Sequence, residues 1–271
     1  GHIRFDEKIE ANVFEKEKFV IHPRHLKMIE EFITFNNNID LAFFFVSSEL
    51  SLEYIEYAKT KNIICIDNSS AFRNNKPLII PEINMLEKKE LIIANPNCST
   101  IILCMLLYPL TKLSVIKRVV VSTYQSVSGA GYNGLNELSD QINNYNKKNK
   151  LKNKYFNSQC LNNVFSHDSA VDKMNGYNQE ELKIINETKK ILNSNELKIT
   201  ATCIRVPVFR SHCESVNVKF EDEILEENIR IALNDFSGIN IIDDRINNNF
   251  PEPIKSENKN NILVGRIRKD Y

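Results

Sequence analysis

Four short apolar runs in the first hundred residues, Leu41–Val46, Ile63–Ile66, Leu78–Ile80 and Leu91–Ala94, constrain this chain more than any other feature. Polar residues bound each run, and none alternates, which is the pattern of strands buried on both faces. Residues 24–35 and Leu52–Lys59 read as helices. Strands and helices at that spacing need crossover connections, and therefore a parallel sheet within an α/β unit.

Beyond residue 98 the texture changes. Ile101–Leu107 reads as an apolar helix and Arg118–Ser122 as a strand. The Lys/Asn-rich stretch 143–157 is expected to be a mobile loop. Glu180–Leu192 is amphipathic, with Leu182, Ile185 and Leu192 on one face, and Asn178 with Glu181 has the form of a capping box. Lys198–Val208 and Ser215–Phe220 read as two strands joined by a short loop, most simply antiparallel. No internal repeat is visible. The expected organisation is two domains, 1–97 and 98–271.

The chain has 271 residues, 42% of them apolar and 26% charged, as in ordinary globular proteins. Its 35 Lys and Arg balance 35 Asp and Glu, which argues against nucleic-acid binding through bulk positive charge. The longest apolar run is far too short to span a bilayer, and no secretory signal opens the chain. Six irregularly spaced Cys read as reduced thiols of a cytoplasmic protein. No metal site is indicated. Gly1 where Met is expected, and the abrupt end at Tyr271, suggest an internal piece of a longer protein.

Chemistry concentrates at Asn95-Pro96-Asn97-Cys98-Ser99-Thr100. A buried strand ends at Ala94, Pro96 breaks the run and a helix follows, so Cys98 falls at a helix N-terminus. Orphan amides and the positive dipole end there stabilise a thiolate, a nucleophile toward carbonyls and acyl phosphates. His212 lies between strands and titrates near neutrality, as an acid/base requires. Arg205 lies in an apolar strand, where a guanidinium needs an anion from the protein or from a substrate. Arg73 follows a buried strand at its carboxyl end, a position suited to meeting a ligand. Glu180 and Lys183 form an i, i+3 pair, which by itself reads equally as a solvated ion pair. Ser128-Gly129-Ala130-Gly131 could bring backbone close to a cofactor or could be a plain turn.

These residues fall within six blocks that resemble the aspartate-semialdehyde dehydrogenase family, in register through most of the chain. They are Ile66-Asp67-Asn68-Ser69-Ser70-Ala71-Phe72-Arg73, Ala94–Thr100, Ser122–Gly131, Glu180-Glu181-Leu182-Lys183, Arg205-Val206-Pro207-Val208 with His212, and Val264-Gly265-Arg266-Ile267-Arg268. The resemblance implies an α/β fold: an incomplete Rossmann-like dinucleotide-binding domain followed by an α+β catalytic and dimerisation domain with a mixed sheet. It implies Cys98 as nucleophile, His212 as acid/base and Gln125 positioning the substrate. It also implies Arg205 on the substrate carboxylate, Glu180 on its amine, and Arg73, Lys183 and Asn97 at a phosphate site. NADP is the implied cofactor, with Ser128, Gly129, Ala130 and Gly131 on its side, and a homodimer or tetramer the implied assembly. The partners so implied are a small-molecule substrate and phosphate, with neither nucleic acid nor membrane.

The family's opening glycine-rich turn and closing helix have no counterpart in this chain. Its usual Phe-Ser-Ala-Gly-Gly reads Phe45-Val46-Ser47-Ser48-Glu49. Two alternatives accompany this reading: a related acyl-phosphate reductase, and a decayed homologue that acts only through dimer assembly. The Glu180–Lys183 pair favours a free amine, hence aspartate, over an acetylated substrate. Cys98, Gln125, Arg205 and His212 together speak against decay.

Overall fold

The computed structural model describes residues 18–21, 39–86 and 90–270, which fall into two compact units. The first comprises residues up to Ile80 and Met85–Pro96; the second comprises Pro81–Asn84 and everything from Asn97 onward. The helix expected at 24–35 lies outside the described residues.

In the first unit, β1 (Lys18–Ile21), β2 (Leu41–Phe44), β3 (Ile64–Asp67) and β4 (Ile92–Ala94) form one parallel sheet in sequential order. Leu78 adds an isolated parallel bridge to Ala94. Helix α1 (Ser48–Thr60) makes the crossover from β2 to β3 and buries Ile55 and Ala58. Three of the four apolar runs became strands, while Leu78–Ile80 forms only that bridge. Full burial falls on alternate residues, Ala42, Phe44, Cys65, Ile92 and Ala94, so one face is sealed and the other is partly covered, not both faces sealed as expected. Asp67 is a buried carboxylate at the end of β3, satisfied by the Ser51 hydroxyl (2.7 Å), the Ser69 hydroxyl (2.8 Å) and the Ser69 amide (3.1 Å).

The second unit opens with α2 (Cys98–Leu110), whose Leu103, Leu107 and Leu110 enter its core. Next come β5 (Ile116–Gln125), a 3-10 turn at Val127–Ala130, α3 (Gly131–Asn146), β6 (Phe165–Ser166), α4 (Gln179–Ile191), β7 (Lys198–Arg205) and β8 (Cys213–Phe220). The chain then runs through α5 (Glu226–Asn234), β9 (Ile239–Ile241), α6 (Pro253–Ser256) and β10 (Ile262–Val264), with β9 and β10 paired in parallel. The main sheet has the order β6-β7-β5-β8 and is mixed: β5 runs parallel to β7 and antiparallel to β8.

Two expectations are corrected here. Strands β7 and β8 run in opposite directions but do not pair with each other, because β5 lies between them. Residues 143–157 are not one loose loop. Helix α3 continues to Asn146, and beyond it the Glu137 carboxylate accepts the amides of Lys154 (2.8 Å) and Tyr155. The Gln141 side chain accepts those of Cys160 (3.0 Å) and Leu161 (2.8 Å). Two buried polar side chains on one helix thus fix the segment that follows it.

The expected capping box is present. The Asn178 side chain accepts from the Glu181 amide (2.9 Å), and the Glu181 carboxylate accepts from the Asn178 amide (2.8 Å). Its other oxygen accepts the Cys203 amide of β7 (3.0 Å), which joins the start of α4 to the sheet. One face of that sheet is covered: Val119, Val121, Ile199, Ala201 and Cys203 pack with residues of α2 and α4. Cys65, Cys104, Cys160 and Cys203 are buried thiols, Cys213 is half-buried and Cys98 is exposed. No helix among the described residues is long and apolar enough to cross a membrane.

Candidate active site

Asn97 organises the start of α2. Its side-chain oxygen accepts the amides of Ser99 (2.9 Å) and Thr100 (3.2 Å), capping the helix on which Cys98 is the first residue. The Asn97 side-chain amide donates to Glu180 Oε1 (2.7 Å), and its backbone amide donates to Glu187 Oε2 (2.7 Å). Two acids of α4 therefore grip the residue before the exposed thiol. Gln125, buried at the end of β5, donates to the Ser99 hydroxyl (3.1 Å) and to Glu180 Oε1 (3.4 Å). Lys183, one turn along α4, pairs with Glu180 Oε2 (3.5 Å).

Burial pushes the Glu180 carboxyl upward, but the Asn97 amide, the Lys183 charge and the Gln125 amide hold it below the usual range. Glu180 is thus a buried carboxylate that stays ionised, able to hold a cation.

The next residue along β5, Ser126, ties in the other half of the site. Its carbonyl accepts from Arg205 NH1 (3.0 Å), and its amide donates to His212 Nδ1 (3.0 Å). An imidazole whose Nδ1 accepts a backbone N–H carries its proton on Nε2. Burial, and after it the Arg205 charge, depresses His212 to about 4, so the ring is neutral at physiological pH. Gly129 permits this packing: a Cβ there would stand 3.1–3.2 Å from His212 Cε1 and Nε2 and from Arg205 NH1. Of the other three residues of that turn, Ser128 shares a hydroxyl contact with Ser126 (3.0 Å), Ala130 precedes α3 and Gly131 has φ +67°.

Two residues of this site carried no sequence expectation. His167 Nε2 accepts from Arg205 NH2 (2.8 Å), and Asp168 Oδ1 accepts from the same nitrogen (3.2 Å). Burial, followed by Arg205, lowers the His167 pKa, so it too is neutral. The only available signal was a polar Ser-His-Asp-Ser run beside a strand of two residues, too short to show a period.

Every residue expected at the site except Arg73 lies in the second unit. Arg73 belongs to the first, where its NH2 donates to the Asn68 carbonyl (3.0 Å). Within the second unit, hydrogen bonds connect Asn97, Gln125, Glu180 and Lys183, and Arg205 and His212 meet at Ser126. The arrangement places an exposed thiol at a helix N-terminus beside an ionised acid, a buried guanidinium and a neutral imidazole. Such a set suits an electrophilic carbon carried on a molecule with both an amine and a carboxylate.

Comparison with known proteins gives the same picture. Residues 10–91 match the family model described as semialdehyde dehydrogenase, NAD binding domain, and 107–271 match semialdehyde dehydrogenase, dimerisation domain. The chain is 42% identical over 237 residues to the aspartate-semialdehyde dehydrogenase of Prochlorococcus marinus, covering 86% of this chain and 69% of the relative. It is 40% identical over 239 residues to that of Aquifex aeolicus, covering 86% and 70%. Among solved structures, aspartate semialdehyde dehydrogenase II of Vibrio cholerae superposes with a TM-score of 0.82 at 35% identity, covering 86% of this chain and 71% of that one. The same Vibrio enzyme complexed with ASA also superposes at 0.82, with 34% identity and coverage of 86% and 70%. The NADP-bound Candida albicans enzyme, at 21% identity and a TM-score of 0.65, shares the fold.

Proposed function

The chain belongs to the aspartate-semialdehyde dehydrogenase family of oxidoreductases, and from that premise we propose that it interconverts L-aspartate 4-semialdehyde plus phosphate with L-aspartyl 4-phosphate through a thioester on Cys98. The observation that carries the reading is the pairing of Glu180 with Arg205. An ionised acid is bonded to the residue before the thiol, and a buried guanidinium is bonded to the residue after Gln125. An α-amino acid with an aldehyde on its side chain satisfies both charges while offering its carbonyl to sulfur.

In the oxidative direction, Glu180 takes the ammonium and Arg205 the carboxylate, and together they orient the aldehyde. The Cys98 sulfur attacks that carbon; the helix end favours negative charge on the nucleophile. His212 holds its proton at Nε2, from which it donates a hydrogen bond to the oxyanion of the adduct; because sulfur attacks as a thiolate, hydride leaves that oxyanion directly and no proton passes to the ring. The Gln125 amide, fixed by Ser99 and Glu180, keeps the adduct in place. NADP, when bound, would supply the acceptor for the hydride that the adduct loses. Phosphate held by Lys183 and Asn97 then attacks the thioester carbon, and the C–S bond breaks to return the Cys98 thiolate and aspartyl phosphate.

The residues present fit a nicotinamide dinucleotide. The carboxyl ends of β2, β3 and β4 carry Ser47 and Ser48, Asn68 to Ser70, and Asn95, a hydroxyl- and amide-lined edge where parallel sheets take nucleotides. Ser48 and Ser70 share a hydroxyl contact (3.1 Å), and Asn95 donates to Asn68 (2.7 Å). These groups would meet ribose hydroxyls and the carboxamide. In the first turn of α1, Glu49 accepts a backbone and a Ser47 hydrogen bond, which lower its pKa. That carboxylate occupies one amide and one hydroxyl that a phosphate would otherwise use. The outer face of the main sheet, with Ser122 and Tyr124 of β5, Thr202 of β7 and Ser215 and Asn217 of β8, is only partly covered and serves as the contact in a homodimer. The site of action so read is the cytoplasm.

The reading is tested by NADP reduction on aspartate semialdehyde with and without phosphate. Sustained turnover that requires phosphate is expected, together with discrimination against N-acetylglutamate semialdehyde, which has no ammonium for Glu180. Equal rates on the two aldehydes would assign the chain to a different acyl-phosphate reductase.

A further inference from the structure

Arg205 is 2% exposed, and four of its five N–H groups can be followed one by one. NH1 donates to the Ser126 carbonyl, and NH2 donates both to His167 Nε2 (2.8 Å) and to Asp168 Oδ1 (3.2 Å). Nε is buried without a partner. The Phe156 ring lies 5.5 Å from the guanidinium carbon.

A planar guanidinium offers two bidentate edges, NH1 with NH2 and Nε with NH2, and each needs an NH2 hydrogen. Both NH2 hydrogens are engaged here. Neither edge is open to a carboxylate, although the Nε–H of the second edge has no partner. One of the two NH2 acceptors has to yield before a substrate carboxylate can be gripped at two points.

We propose that Asp168 is an internal stand-in for the substrate carboxylate, neutralising Arg205 in the ligand-free protein and surrendering its NH2 hydrogen to the entering group. The proposal rests on the assignment of Arg205 to the substrate carboxylate and adds a specificity-determining residue to that site. His167 is the poorer candidate for exchange. Its contact is shorter, its side chain is 13% exposed against 25% for Asp168, and its ring is anchored behind. On the far side of its ring, His167 Nδ1 meets both the hydroxyl (3.1 Å) and the amide (3.2 Å) of Ser169, and the same hydroxyl accepts the Glu180 amide (3.1 Å). Moving His167 would disturb the helix start that carries Glu180. Moving Asp168 exchanges one carboxylate for another, so the buried cation is never left uncompensated, and its partial exposure gives it somewhere to go.

Asp168 therefore competes with every ligand for Arg205. A neutral ligand cannot displace it, and a carboxylate binds more weakly than its contacts alone allow. Removing the negative charge lifts that competition.

The test compares the wild-type chain with Asp168→Asn, which keeps the size and one acceptor oxygen. The expected result is a KM for aspartate semialdehyde lowered about tenfold with kcat changed less than about twofold. Calorimetric binding of L-homoserine, the alcohol counterpart of the aldehyde, tightens by the same factor without any turnover. Asp168→Glu restores a carboxylate and returns both values toward wild type. Should the amide variant fail to fold, Asp168→Ser makes the same comparison. Unchanged or weaker L-homoserine binding in a folded charge-removed variant overturns the proposal. The two readings fail separately. Tighter L-homoserine binding in a chain that reduces no NADP keeps the stand-in and removes the reaction. Turnover with an affinity indifferent to Asp168 does the reverse.

Discussion

His212 and Glu214, two residues apart at the start of β8, are both held in their neutral forms, with opposite consequences for stability. His212 is depressed to about 4, chiefly by burial. The unfolded chain therefore binds its proton first as pH falls below about 6.5, and the stability associated with a neutral ring, about 3 kcal/mol, is lost through that window. Glu214 lies opposite Thr123 across the β5–β8 pair. Although the residue is partly exposed, both carboxyl oxygens are buried without a partner, and burial drives its pKa well up. The titratable groups around it are the Cys104, Cys203 and Cys213 thiols, each raised chiefly by its own burial and so neutral beside it. Protonated when folded and ionised when unfolded, Glu214 costs stability as pH rises through the ordinary carboxylate range. Glu214→Gln should therefore raise the melting temperature by roughly 2–4 °C at pH 8 and have little effect at pH 4. A lower melting temperature at pH 8 would mean that the carboxylate is ionised and useful. At this scale the sequence showed the residues that lie on marked elements: Cys98 after a strand-breaking Pro, and Arg205 in an apolar strand. It did not show His167 or Asp168, whose partners are fixed by a guanidinium 38 and 37 residues away.

Elements were legible where their period is local. The capping box of α4 could be read from Asn178 and Glu181 alone, because both of its hydrogen bonds span three residues. The place of β5 between β7 and β8 could not, because nothing local distinguishes a hairpin from two strands separated by a third of distant sequence. The length of α3 was missed for a related reason: its polar end is held by Glu137 and Gln141, whose partners lie 11 to 20 residues on. That helix also sets the active-site turn. A Cβ on Gly134 would stand 2.4 Å from the Val127 carbonyl oxygen and 2.9 Å from the Ala130 Cβ. Gly134→Ala should cost about 1–3 kcal/mol in urea unfolding. It should also raise the KM for semialdehyde, because the displaced turn carries Gly129 against His212 and Arg205. Wild-type stability in this variant would show that the turn and α3 are not in close register.

At the level of the whole molecule, zero net charge argues against binding through bulk positive charge and turns attention to the chemistry of a few residues. Cys98, Gln125, Glu180, Arg205 and His212, the residues proposed for that chemistry, all lie in the second unit, and the first is built on the parallel sheet with its polar carboxyl edge. The central claim is that Cys98 carries the acyl group between aldehyde and phosphate. It is tested most directly by mixing the chain with aspartate semialdehyde and NADP in the absence of phosphate, quenching with acid and mapping the label by peptide mass spectrometry. The account predicts one acyl group per chain on the peptide containing Cys98, discharged when phosphate is added and absent from Cys98→Ser. Phosphate-dependent turnover that persists in a folded Cys98→Ser chain would contradict it.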